Sequence, residues 1–214
     1  MTREELLKSA KPILFNTKMV KAILDGRKTV TRRAIKFPEG MTGRLSESGA
    51  TDHIFYPGGI KYPLYRTGDI LYVRETWTTD PHSVDLVAIA NGTMPVYYKA
   101  DYAEKELDNL FGSVWKPSIH MPKEAARIFL KVTDVRVERL QDISTRGIRA
   151  EGINECFMCC NENCETKTLD RVLCGNTWID LWNSTIKKQD LDKYSWEANP
   201  WVWVYEFEKI KTEI

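Results

Sequence analysis

The sequence predicts a mainly β chain of the α+β class: a compact antiparallel sheet or small barrel with a few flanking helices, in one domain over residues 1–214. Three observations carry this expectation. Strand-like runs recur along the chain, at residues 11–15, 27–35, 70–77, 96–99, 127–140 and 201–210. Few helical segments stand between them, so the regular strand–helix alternation of a doubly wound sheet is missing. At 214 residues with 43% hydrophobic and 29% charged side chains, the chain is long enough and apolar enough to bury one core without staples.

The elements follow in order. Residues 1–10 read as a short helix or a frayed end and 11–15 as a short strand. Asn16 or Thr17 caps a helix running to Asp25, with Met19, Val20, Ile23 and Leu24 on one face and Gly26 as its stop. Residues 27–35 are β-branched and basic, and leave that helix as a strand. Residues 37–66 carry Pro38, Pro57, Gly58, Gly59 and Pro63, which predicts a long loop with little structure of its own. Thr67-Gly68-Asp69 turns the chain tightly into the strand at 70–77. In 127–140 the apolar residues Ile128, Leu130 and Val132 keep one phase and Val135 and Val137 the other, so a bulge or bend belongs near Thr133-Asp134. Ser144 caps a helix over 144–153. Trp178, Leu181 and Trp182 stand at helical spacing in 177–185, and 201–210 is a closing strand.

Composition also excludes whole classes. No apolar run approaches the roughly 18–20 residues of a membrane helix, so no membrane association is expected. The opening MTREELLKSAKP has no apolar core of a signal peptide, which points to the cytoplasm and to reduced thiols rather than a disulfide framework. With 31 Lys+Arg against 30 Asp+Glu, the net charge of +1 supplies no global attraction for nucleic acid. Locally, Lys18, Lys21, Arg27, Lys28, Arg32, Arg33 and Lys36 face only Asp25, which reads as a basic patch or as a solvated charged face.

The densest chemistry is Gly26-Arg27-Lys28-Thr29-Val30-Thr31-Arg32-Arg33. A glycine that lets the backbone turn is followed by a lysine, two hydroxyls and two guanidiniums. Arginine forks suit phosphate or base edges. A lysine in a partly dry pocket loses charge and becomes a base, which activates a nearby threonine hydroxyl. The bland reading is equally concrete: basic residues gather at helix C-termini, and threonines are routine in strands.

A resemblance extends this reading. KPILFNTKMVKAILDGRKTVTRR, TGDILYVRETW, VTDVRVERLQDISTRGIRAEGI and a late LW before NPWVWVYEFEKI together resemble an ASCH-domain protein, most closely the larger versions encoded by phages and prophages. The family signature Gly-x-Lys-x-x-x-x-Arg falls on Gly26, Lys28 and Arg33. The resemblance covers the chain apart from a loop at 37–66 and a Cys-rich insertion at 154–176. It implies a PUA-like β-barrel that binds RNA or modified nucleosides, in the host cytoplasm if the chain is phage-encoded. A small bacterial member hydrolyses the acetyl amide of N4-acetylcytidine with a lysine, a threonine and a glutamate, which match Lys28, Thr31 and Glu151.

The roles implied are chemically coherent. Thr31 attacks the acyl carbonyl, Lys28 takes its proton and Glu151 donates one to the leaving amine, while Gly26, Arg32 and Arg33 help hold substrate or RNA. On a regular strand Lys28 and Thr31 point to opposite faces, so the segment has to bend for them to converge. Lys28 lies outside the apolar pattern, so its removal is expected to spare the fold. For Glu151 an exposed helix carboxylate is the competing reading.

Two further groups stand out. Cys156 and Cys159 have the spacing of a zinc knuckle, and with Cys164 and Cys174 could supply four thiolates for a structural zinc; Cys160 is an alternative ligand, and free reduced thiols are the other reading. A structural site predicts about one metal equivalent per chain, and elemental analysis of purified protein that finds none removes it. No cofactor for catalysis is expected. Among the tryptophans most read as core, and Trp77, which closes the strand after Arg74 and Glu75, is the one expected near a pocket, with Arg74 and Glu75 as a structural ion pair. The expected function is thus a nucleoside-directed amidohydrolase, the alternative a non-catalytic RNA or modified-nucleobase binder, and a weaker third reading a phage accessory that binds a host protein. No obligate protein partner is expected.

Overall fold

The computed structural model describes residues 2–47, 50–79, 85–102, 115–153 and 177–211. The chain divides into two compact units, one of residues 1–26, 68–132 and 208–214, the other of 27–67 and 133–207. A five-stranded mixed sheet has the order β1-β5-β8-β9-β2, with β1 Lys11–Leu14, β2 Val30–Ala34, β5 Ile70–Arg74, β8 Phe129–Arg139 and β9 Trp201–Lys209. β1 runs parallel to β5, whereas β5 with β8 and β2 with β9 are antiparallel. The parallel β1–β5 pair makes the sheet mixed where an antiparallel sheet or small barrel is expected from the sequence. A parallel pair needs a long crossover, which the stretch between β1 and β5 supplies. Among the described residues no closed barrel forms, because the edge strands β1 and β2 do not pair.

In the first unit, α1 (Arg3–Ser9) opens on a capping box in which Thr2 and Glu5 satisfy each other's backbone N–H groups. Asn16 Oδ1 accepts the Met19 N–H at 2.9 Å and starts α2 (Thr17–Leu24); Gly26, at φ +73°, takes the left-handed turn that ends it. The strand expected over 70–77 breaks into β5 and β6 (Trp77–Thr78), and β6 pairs with β7 (Tyr97–Tyr98). A short helix, α3 (Leu86–Ala90), is capped by Asp85. Leu6, Trp77, Met121, Ala125, Ala126 and Phe129 form the unit's core.

Arg74 and Glu75 do not pair with each other. Arg74 donates to the carbonyls of Met121 and Ile119, and the Glu75 carboxylate, 1% exposed, takes a two-pronged bond from Arg127 at 2.9 and 3.0 Å. Burial pushes the Glu75 carboxyl up, and the Arg127 guanidinium opposes that shift. Arg127→Ala is expected to cost about 3–5 kcal/mol at neutral pH, since it leaves a buried charge unpaired. The cost should shrink as pH falls, because a protonated Glu75 needs no cation. Denaturant titrations at both pH values check this, and a loss below about 1 kcal/mol at neutral pH contradicts it.

In the second unit the stretch expected to be a structureless loop contains a hairpin, β3 (Ile54–Tyr56) with β4 (Gly59–Lys61), turning at Pro57-Gly58. Ile54 is fully buried and anchors it. The signal was present in IFY-PGG-IK, a strand run interrupted by a turn pair. β8 is one strand, and its burial changes phase between Val132 and Val137, where the slip near Thr133-Asp134 was expected. Ser144 Oγ accepts the Gly147 N–H and caps α4 (Thr145–Ala150). Helix α5, residues 177–185, brings Trp178 and Trp182 together with ring centres 5.9 Å apart and planes tilted by 41°, and α6 (Leu191–Tyr194) follows. Both tryptophans pack against Val30, Leu140, Ile148, Val202 and Val204. β9 is buried on both faces, as Val202 to Tyr205 all lie inside. The Cys-rich segment lies outside the described residues.

Candidate active site

The site is assembled inside the second unit by two chain segments that meet edge to edge. After Gly26 the chain reaches Lys28, which forms an isolated antiparallel bridge with Glu151. Neighbouring bonds hold this register: the Thr29 N–H donates to the Ala150 carbonyl at 2.9 Å, the Phe207 N–H donates to the Thr29 carbonyl at 2.9 Å, and Arg27 Nη1 donates to the Gly152 carbonyl at 2.8 Å. Glu151 is the C-cap of α4, and Gly152, at φ +91°, turns the chain away after it. Residues 123 positions apart are thus brought together by a helix end and a strand entry.

Lys28 is buried, with its side chain 0% exposed, and its Nζ donates to Glu151 Oε2 at 2.6 Å, to the Val30 carbonyl at 2.8 Å and to the Glu151 carbonyl at 3.1 Å. Against the expectation that its removal spares the fold, a buried and paired Lys28 is expected to contribute to stability. Its position precedes β2, so the alternation of the strand did not govern where its side chain goes. Burial lowers the Lys28 pKa below that of an ordinary lysine, while the Glu151 carboxylate pulls it back up. The exposed-carboxylate reading of Glu151 is likewise overturned, because it is 3% exposed.

Arg32 completes the cluster. It is buried, donating from Nη1 to Glu151 Oε1 and from Nη2 to Glu138 Oε2, each at 3.1 Å. Both oxygens of Glu151 are therefore held by cations. Gly147 makes room for this arrangement, since a Cβ there would lie 3.3 Å from Arg32 Nη2 and 3.0 Å from Ile143 Cγ1. Outward from Glu138 the network continues through Arg136, which also holds Asp134 and Glu206. Glu138 and Arg136 were missed in the sequence; their spacing of two in VRVER, on the strand that follows the slip, was the available signal.

Thr31, on β2 opposite Tyr205, is 3% exposed, and its hydroxyl has no hydrogen bond to the described residues. Arg33 is exposed and Gly26 serves the helix end. The basic patch expected from Lys18 to Lys36 is not one surface: Lys28 and Arg32 are buried against carboxylates, while Lys18, Arg33 and Lys36 are exposed. Trp77, expected near a pocket, is 2% exposed in the core of the first unit, with Lys116 Nζ 5.0 Å from its ring centre. Cys156, Cys159, Cys164 and Cys174 lie outside the described residues, and among those described no group of three His, Cys, Asp or Glu side chains could hold a metal ion. No helix among the described residues is long and apolar enough to cross a membrane. The chain matches no family model, no curated protein and no solved structure.

Proposed function

We propose that the chain is an amidohydrolase of the ASCH type, with a PUA-like domain, that deacylates N4-acetylcytidine-like nucleosides through Thr31, Lys28 and Glu151. The observation that carries this reading is the 2.6 Å contact between Lys28 Nζ and Glu151 Oε2 in a dry setting. One proton crossing that contact turns the ion pair into a neutral amine beside a carboxylic acid. Those are the protonation states a general base and a general acid require. Burial lowers the Lys28 pKa and so favours its neutral form, the Glu151 carboxylate opposes this, and the neighbouring Arg33 and Arg32 charges add to the lowering.

The steps balance. The Thr31 hydroxyl loses its proton to Lys28 as its oxygen adds to the acyl carbonyl, Glu151 protonates the departing amine, and the acyl group stays on Thr31 Oγ1. The proton on Lys28 then returns to Glu151 across their contact. Water attacks the ester as Lys28 accepts its proton, and the Thr31 oxygen is reprotonated from Glu151, releasing a carboxylic acid. A second return of the proton from Lys28 to Glu151 resets the pair. Because all three side chains are buried, the acyl group must displace whatever covers them. The competing reading, RNA binding by Lys28, Arg32 and Arg33, is weakened because the first two cations are already occupied by carboxylates.

The decisive experiment is incubation with N4-acetylcytidine, following loss of the acetylated base's absorbance. Turnover at a KM little affected by salt supports the reading; absence of turnover by the folded wild-type chain overturns it. The pH profile tests the base. Its rising limb is expected below the 10.5 of an ordinary lysine. Glu151→Gln should move that limb to still lower pH while reducing the rate, because the carboxylate that raises the Lys28 pKa is gone. A limb unmoved by Glu151→Gln would remove Lys28 from the base role.

A further inference from the structure

The second unit contains a cavity of about 460 Å³ whose charged walls are Arg32, Arg136, Arg146, Glu138, Asp142 and Glu206. That size fits a nucleoside-sized guest. Three guanidiniums and three carboxylates cancel, so a ligand with net charge gains from one set what it loses to the other. The cavity therefore favours a neutral ligand dense in polar groups.

Its unfilled bonding capacity narrows the class further. Arg32 is nine-tenths and more buried; its two Nη atoms are satisfied by Glu151 and Glu138, but its Nε has no hydrogen-bond partner among the described residues. This is a donor in want of an acceptor. Of the lining carboxylates, Glu206 binds Arg136 through Oε1 alone among the described bonds, and the exposed Asp142 has no ion pair among the described residues. These carboxylate oxygens are open to the donors of a ligand. A hydroxyl is the neutral group that serves both needs at once, and carboxylates bind paired sugar hydroxyls in nucleotide sites for this reason.

We propose that this cavity binds the vicinal diol of an uncharged polyol, presented as the ribose of a nucleoside or as a free sugar. For the nucleoside form the inference rests on the amidohydrolase reading, and it then places the ribose beside Arg32, in a cavity that Lys28, Thr31 and Glu151 do not line.

The test is calorimetric titration of the full chain with cytidine, 2′-deoxycytidine, D-ribose and cytidine 5′-monophosphate, repeated with Asp142→Asn and Glu206→Gln. Cytidine should bind, and 2′-deoxycytidine should bind at least about tenfold more weakly. The monophosphate should bind no tighter than cytidine, and each variant should weaken cytidine binding by at least about threefold with an unchanged melting temperature. D-ribose binding with the same dependence on Asp142 identifies a general polyol site, and binding of cytidine alone identifies a nucleoside site; both support the proposal. Equal affinity for the deoxynucleoside, tighter binding of the monophosphate, no binding of either cytidine or ribose, or indifference to both variants overturns it. The two readings fail separately. Cytidine binding that depends on Asp142 without hydrolysis removes only the amidohydrolase, whereas hydrolysis with a KM unmoved by both variants removes only the diol site.

Discussion

Lys28→Met is expected to lower N4-acetylcytidine turnover by roughly 10²–10⁴-fold, the contribution of a positioned general base. The same substitution should destabilise the fold, because it removes the shortest partner of a carboxylate that is 2% exposed. Breaking a buried pair costs about 3–5 kcal/mol, and the value should fall at the low end because Arg32 still holds Glu151 Oε1. Denaturant titration beside the turnover assay separates the two effects. The double variant Lys28→Met with Glu151→Leu sharpens the result. It removes both charges of that pair but also leaves the buried Arg32 Nη1 without its acceptor, so it should recover no stability relative to the single variant and should remain inactive. Full turnover by folded Lys28→Met would end the assignment.

Thr31→Val carries the largest effect on rate with the smallest on stability. Loss of a nucleophile is expected to cost at least about 10³-fold in turnover. The hydroxyl has no hydrogen bond to the described residues, so replacing it with a methyl group should change stability by less than about 1 kcal/mol. A second signature goes with it. Rapid mixing of wild type with substrate, followed by acid quenching, should trap an acyl group on the chain, and Thr31→Val should trap none. A valine variant that turns over normally would transfer the nucleophile's role to water and leave Lys28 and Glu151 as its activators.

Most regular elements were legible in the sequence because their causes are local. Asn16 caps α2 with a side chain three residues from its donor, Ser144 does the same for α4, and Trp178 and Trp182 meet on one helical turn. The hairpin at 54–61 escaped because each strand is only three residues long and its turn residues were read as punctuation of a loop. Glu75 was paired with the wrong arginine for a related reason. Sequence neighbours on a strand point to opposite faces, so Arg74 was a poor partner and Arg127, 52 residues on, a good one.

The candidate site divides along the same line. The sequence alone determined that a glycine ends α2, that a lysine, a threonine and two arginines follow it within eight residues, and that a short helix ends at Glu151. These depend on backbone preferences and spacings that act over a few residues. Only the tertiary structure decided that Lys28 and Arg32 are buried cations rather than a basic surface, that Glu151 is their shared anion, and that Arg136 and Glu138 belong to the same network. Whether a charge is solvated or paired depends on which distant segment closes over it, and that is settled by the pairing of residues 27–29 with 150–152 rather than by either segment alone.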